Sequence, residues 1–114
     1  MNEKDLARNI LTNVFPEECR TVGPNSLNDL LSGDVTIVPP EEGRPFPLME
    51  VFEFLKEAAQ FIIAAYSVYK ILRDQFGRKP TLRELKQETA KQAKRGSLSD
   101  KQIENLLKEI QKLD

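Results

Sequence analysis

The stretch LMEVFEFLKEAAQFIIAAYSVYKILRDQF, residues 48–76, decides the fold. Within it Val51, Leu55, Ala58, Ile62, Ala65, Tyr69, Leu72 and Phe76 recur at alternating steps of four and three, the rhythm of a single helical seam. Neither proline nor glycine interrupts them, so the spacing predicts one continuous central helix about 43 Å long. A second set (Phe54, Phe61, Val68, Ile71) and a third (Phe52, Ala59, Ile63, Tyr66) lie off that seam. Between Ala58 and Leu72 the helix is apolar almost all round, which is expected of a helix buried on more than one side.

Downstream, Gly77 offers a left-handed stop and Pro80 forbids continuation. Thr81 and Glu84 then stand at capping-box spacing, where the hydroxyl and the carboxylate each satisfy a free backbone donor, so a new helix is expected from there to Gly96. Its apolar stripe (Leu82, Leu85, Ala90, Ala93) is thin. Ser99 and Gln102 repeat the capping pattern, and Ile103, Leu106, Leu107, Ile110 and Leu113 form the apolar face of a last helix. The two are expected to fold back as a hairpin.

Upstream, Pro39–Pro47 holds four prolines and a glycine and reads as an extended connector. Val35, Thr36, Ile37 and Val38 favour a short strand over 34–38, for which Cys19–Val22 offers an antiparallel partner. Ser26 and Asp29 precede Leu30 and Leu31 as a short capped turn would. Leu6, Ala7, Ile10, Leu11, Val14 and Phe15 put a first helix over residues 3–15, which Pro16 stops. The expected fold is therefore mainly α: a long central helix with an N-terminal helix and a C-terminal helical hairpin, plus a small extended or β element within residues 17–47.

The chain has 114 residues, 39% hydrophobic and 31% charged, which suits one helical domain over 1–114 and excludes both a disordered tail and a large enzyme. The most lipid-like stretch, Phe61–Tyr69, is a run of nine uncharged residues between Gln60 and Lys70, against the roughly 20 apolar residues that a membrane span needs, so no transmembrane segment is expected. The first residues lack the basic-then-apolar pattern of a signal peptide, and a lone Cys19 fits a reducing compartment; the expected location is cytoplasmic.

Catalysis has little to draw on. There is no histidine, the commonest general base and metal ligand, and Cys19 follows Glu17 and Glu18, whose charge suppresses a thiolate. Glu41 and Glu42, beside prolines, read as a solvated connector, not a metal site. With no glycine-rich phosphate loop and no zinc-type cysteine spacing, the expectation is a non-enzyme with no catalytic residue, cofactor or metal.

Charge is divided along the chain. The net charge of −1 conceals ten basic against six acidic residues from Arg78 onward, and seven against twelve before it. Arg78, Lys79, Arg83, Lys86, Lys91, Lys94 and Arg95 are accordingly the candidate nucleic-acid contacts. The run Phe76, Gly77, Arg78, Lys79, Pro80, Thr81, Leu82, Arg83, Glu84, Leu85, followed by Leu98, Ser99, Asp100, Lys101, Gln102, Ile103, resembles the helix-turn-helix-type hairpins of bacterial sigma factors and related regulators. The resemblance covers under a third of the chain and implies DNA binding by the hairpin. The interval from Thr81 to Leu98 exceeds that family's by about two helical turns, which alters how a second helix would reach a major groove.

The central helix supports a different expectation. Phe52, Phe54, Phe61, Tyr66, Tyr69 and Phe76 all lie on it. They form either the core of a four-helix domain or a contact surface, and an apolar surface of more than a few hundred Å² calls for company. The leading reading is a non-catalytic protein–protein interaction module (adaptor, inhibitor or assembly subunit), working as a homo-oligomer or by docking onto another protein. Its candidate contact residues are Phe54, Phe61 and Tyr66 on the central helix and Leu107 and Ile110 on the last one. Nucleic-acid binding through the basic hairpin is the alternative.

Overall fold

The computed structural model describes residues 3–23, 27, 31 and 46–113, with side chains from residue 50 onward in the long helix. Five helices stand among them: α1 (Glu3–Val14), α2 (Pro16–Val22), α3 (Phe46–Phe76), α4 (Leu82–Gln92) and α5 (Asp100–Gln111). The mainly α class and the single long helix are as the spacing predicts, and no strand occurs among the described residues. The chain divides into two compact units, Met1–Ala59 and Gln60–Asp114, and the boundary falls inside α3.

In the first unit, α1 buries Leu6, Ala7, Ile10 and Leu11, the residues whose spacing marked its face. Glu3 and Asp5 occupy its first turn, where the helix dipole favours negative charge. Phe15 leaves the helical region (φ −125°, ψ 59°), and Pro16 opens α2, where its missing N–H has no partner to lose. Residues 19–22 are therefore helix, which corrects the strand expected there. Thr21 and Val22 carry local β preference, but the helix buries Cys19 and Val22 together with Phe15 and packs on α1. Phe15 meets Phe54 of α3 edge to face, centroids 5.0 Å apart. Gly23 ends α2 at φ 85°, a conformation that side chains resist. Leu27 and Leu31 are helical and buried. The strand expected over 34–38 and the turn built on Ser26 and Asp29 lie outside the described residues.

The long helix has 31 residues, about 46 Å, and starts at Phe46, two residues ahead of the expected start at Leu48, so that it takes in the last two residues of the expected connector. Pro47 is tolerated there because a first-turn residue needs no intrahelical N–H bond. From Phe52 to Leu72 the seam and much of both flanking sets are buried. Gly77, at φ 68°, turns the chain, and its N–H closes on the Arg73 carbonyl at 2.9 Å.

In the second unit the end of α3 leads through buried Pro80 into the hairpin. Both capping boxes form: the Thr81 N–H donates to Glu84 Oε1 at 2.8 Å and the Glu84 N–H to Thr81 Oγ1 at 3.1 Å, with Ser99 and Gln102 repeating the exchange at α5. Gln111 Nε2 donates to the Pro80 carbonyl, Lys86 pairs with Glu104, and Arg95 pairs with Asp100, so α4 and α5 are antiparallel along their whole length. Phe61 shares a pocket with Ala90 and Ile103, while Tyr69 bonds to Leu113, which sets α3 parallel to α5 and completes an up-down-up three-helix unit. The first helix of the hairpin stops at Gln92, short of Gly96. The chain leaves the helix at Ala93 so that Leu98 can be buried; Gly96, at φ 56°, takes the turn.

Candidate functional site

The expected contact residues separate by burial. Phe61 is 3% exposed, and Leu107 and Ile110 are both 0% exposed. These three belong to the interior, which corrects their assignment as surface: α5 is amphipathic, and Leu107 and Ile110 lie on its buried apolar face. Phe54 is half-buried against Phe15. Tyr66 is half-buried too, with its ring stacked on Tyr69 and the Lys70 ammonium 4.7 Å above it.

Two positions outside these five are more open. Ile71 is 50% and Phe76 42% exposed, the exposed large hydrophobic residues among those described. Phe76 is capped by the Arg78 guanidinium at 4.9 Å. Ile71 continues a row with Ile63 and Ser67 at intervals of four, both half-buried, flanked by exposed Gln60, Lys70 and Asp74. A signal was present: this row breaks its apolar character with Gln60, Ser67 and Asp74, while the buried seam never does.

Several of the basic hairpin's cations are paired with its own carboxylates. Arg78 grips Glu84 with both terminal nitrogens at 3.0 and 3.1 Å, Lys91 pairs with Glu88 at 3.3 Å, Lys86 with Glu104 at 3.3 Å, and Arg95 with Asp100 at 2.8 Å. Lys79, Arg83 and Lys94 are exposed; Arg83 and Lys94 make no ion pair among the described residues. The capped helix starts of the sigma-factor-like run are present, but a helix-turn-helix crosses near the perpendicular and meets mainly at its turn, whereas α4 and α5 pair from end to end.

Between these two helices and Phe61 lies a pocket of about 150 Å³. Phe61, Ala90, Ala93 and Ile103 give it apolar walls, and Lys86, Arg95 and Asp100 charge its mouth. Nothing in the linear sequence joins residues 61, 86 and 103; only the fold does.

Cys19 is buried, and burial together with the Glu18 carboxylate pushes its thiol pKa up, against a smaller opposing effect from a Thr12 hydrogen bond. Glu84 goes the other way: the Arg78 hydrogen bonds, and then the Thr81 N–H, hold its pKa down at about 2. Among the described residues no group of three or more metal-ligating side chains gathers, and no helix is long and apolar enough to cross a membrane. No protein-family model, curated protein or solved structure matches the chain.

Proposed function

We propose that the protein is a non-catalytic protein–protein interaction module of the cytoplasm, an adaptor, inhibitor or assembly subunit, that binds its partner through the open row of α3. The observation that carries this reading is Ile71, half exposed on a helix whose other apolar side chains between Phe52 and Leu72 are buried or half-buried. Beside it Ile63 and Tyr66 keep part of their surface, and Gln60, Lys70 and Asp74 form a polar rim. An apolar centre within a polar rim is the anatomy of a contact patch, with an amphipathic aromatic ring at its edge. The absence of histidine from the sequence and the suppressed Cys19 thiolate support a role without catalysis.

Nucleic-acid binding through the hairpin is less well supported, because the carboxylates of Glu84, Glu104, Glu88 and Asp100 stand beside Arg78, Lys86, Lys91 and Arg95 and lower the positive potential that a phosphate backbone would meet.

The test is to isolate the tagged protein from its own cells and to compare it with Ile71→Glu. This substitution lies at an exposed site and leaves the fold intact. The expected result is a stoichiometric protein partner, a second copy of this chain included, that is lost from the variant. Identical partner sets for both proteins would overturn the proposal.

A further inference from the structure

The pocket between α4 and α5 combines two kinds of wall, and its use does not depend on the open row of α3. Phe61 and Ile103 with the methyl groups of Ala90 and Ala93 make it apolar, and it is a solvent-open cleft of about 150 Å³, a volume of the size that holds a benzene ring in an apolar protein cavity. Its lining carries two cations, Lys86 and Arg95, and one carboxylate, Asp100, with the Glu104 carboxylate standing 3.3 Å from Lys86, so that Arg95, whose partner Asp100 is the more exposed, is the cation open to exchange. From this geometry we infer that the pocket binds a benzene-sized apolar group bearing a carboxylate a few bonds from the ring.

The ring fills the space against Phe61 and Ile103, and the carboxylate exchanges for Asp100 on the Arg95 guanidinium. That exchange is undemanding, because the Asp100 side chain is 76% exposed and an exposed ion pair contributes little. Arg95 stays aimed throughout: its Nε donates to the Leu98 carbonyl at 3.1 Å, and the terminal nitrogens are left for a carboxylate. Lys86, the second cation of the lining, stays paired with Glu104 on the neighbouring helix. The same chemistry has two sources, a free arylalkanoic acid or the C-terminal phenylalanine of a peptide.

The experiment titrates the full-length protein with 3-phenylpropionate and follows the backbone amides by NMR. Saturable shifts are expected at Ala90, Ala93 and Ile103, with the roughly millimolar dissociation constant that suits so small a ligand. Ala90→Phe fills the pocket and should abolish the shifts. Arg95→Gln should weaken binding at least about threefold, Asp100→Asn should tighten it, and the uncharged 3-phenylpropanamide should bind more weakly than the acid. Should Ala90→Phe disturb the helix, the exposed Arg95→Gln decides alone. A short peptide ending in phenylalanine as the free acid separates the sources: tighter binding than 3-phenylpropionate assigns the site to a protein C-terminus, weaker binding to a free carboxylate, and both uphold the site. No saturation by either probe, or equal affinity of the acid for wild type and Arg95→Gln, would overturn the inference.

Discussion

Tyr69 donates its hydroxyl to the backbone carbonyl of Leu113 across 2.8 Å, tying the second half of α3 to the residue that follows the last helical turn of α5. The two are 44 positions apart in sequence, and the tyrosine is buried, so the bond closes the three-helix unit at one end. Tyr69→Phe keeps the ring and removes the donor. It should lower the unfolding free energy by about 1 kcal/mol, the typical net worth of such a bond. Urea denaturation measures this directly, and an unchanged midpoint would contradict the role given to the hydroxyl.

Thr89 presents the opposite case. It is almost fully buried on α4, and its hydroxyl has no hydrogen-bond partner among the described residues. Burying an unpaired hydroxyl is unfavourable, while valine has nearly the same shape and a similar helix propensity. Thr89→Val should therefore raise stability by about 1 kcal/mol. A loss of stability in the same urea experiment would show that the hydroxyl is satisfied after all.

Acid should act on the start of α4. The Glu84 pKa falls from 4.5 to about 2, chiefly through its hydrogen bonds from Arg78. A carboxylate whose folded pKa is depressed contributes stability above its unfolded value and loses it as pH falls through the folded one. The contribution is thus complete above about pH 5 and disappears between pH 4.5 and about 2. Thermal unfolding of Glu84→Gln across that window should show a shallower pH dependence than wild type; parallel curves would rule out this contribution. The same substitution tests the capping box, since it leaves the Thr81 N–H an acceptor without the charge.

The Cys19 thiol should be slow to alkylate. Burial and Glu18 keep it protonated, and the thiolate is the reactive form. Iodoacetamide at pH 8 should modify the folded protein at least about tenfold more slowly than the urea-unfolded chain. Equal rates would mean that α2 opens freely around residue 19.

Much of this architecture was legible in the residues themselves. The steps of four and three from Val51 to Phe76 specify one rod, and Thr81/Glu84 and Ser99/Gln102 specify two helix starts, because caps and seams are local physics. What was not legible is long-range. Thr21 and Val22 suggest a strand until Cys19 and Val22 are buried beside Phe15. Gly96 suggests a helix end until buried Leu98 draws the chain out at Ala93. Whether Phe61 faces solvent or core, and that Lys86 finds Glu104 eighteen positions away, depend on which helix lies beside which. The contact reading was half legible for the same reason: periodicity finds the apolar sides of α3 but not which of them its own chain covers.

The central claim is that the row through Ile71 is where a partner sits. A photo-crosslinking amino acid placed at position 71 in the protein within its own cells tests it most directly, with position 91, an exposed site on α4, as the control. The account predicts one discrete crosslinked protein at 71 that is absent at 91 and is lost when Tyr66→Glu is added. No crosslink at 71 above the level at 91 would contradict it.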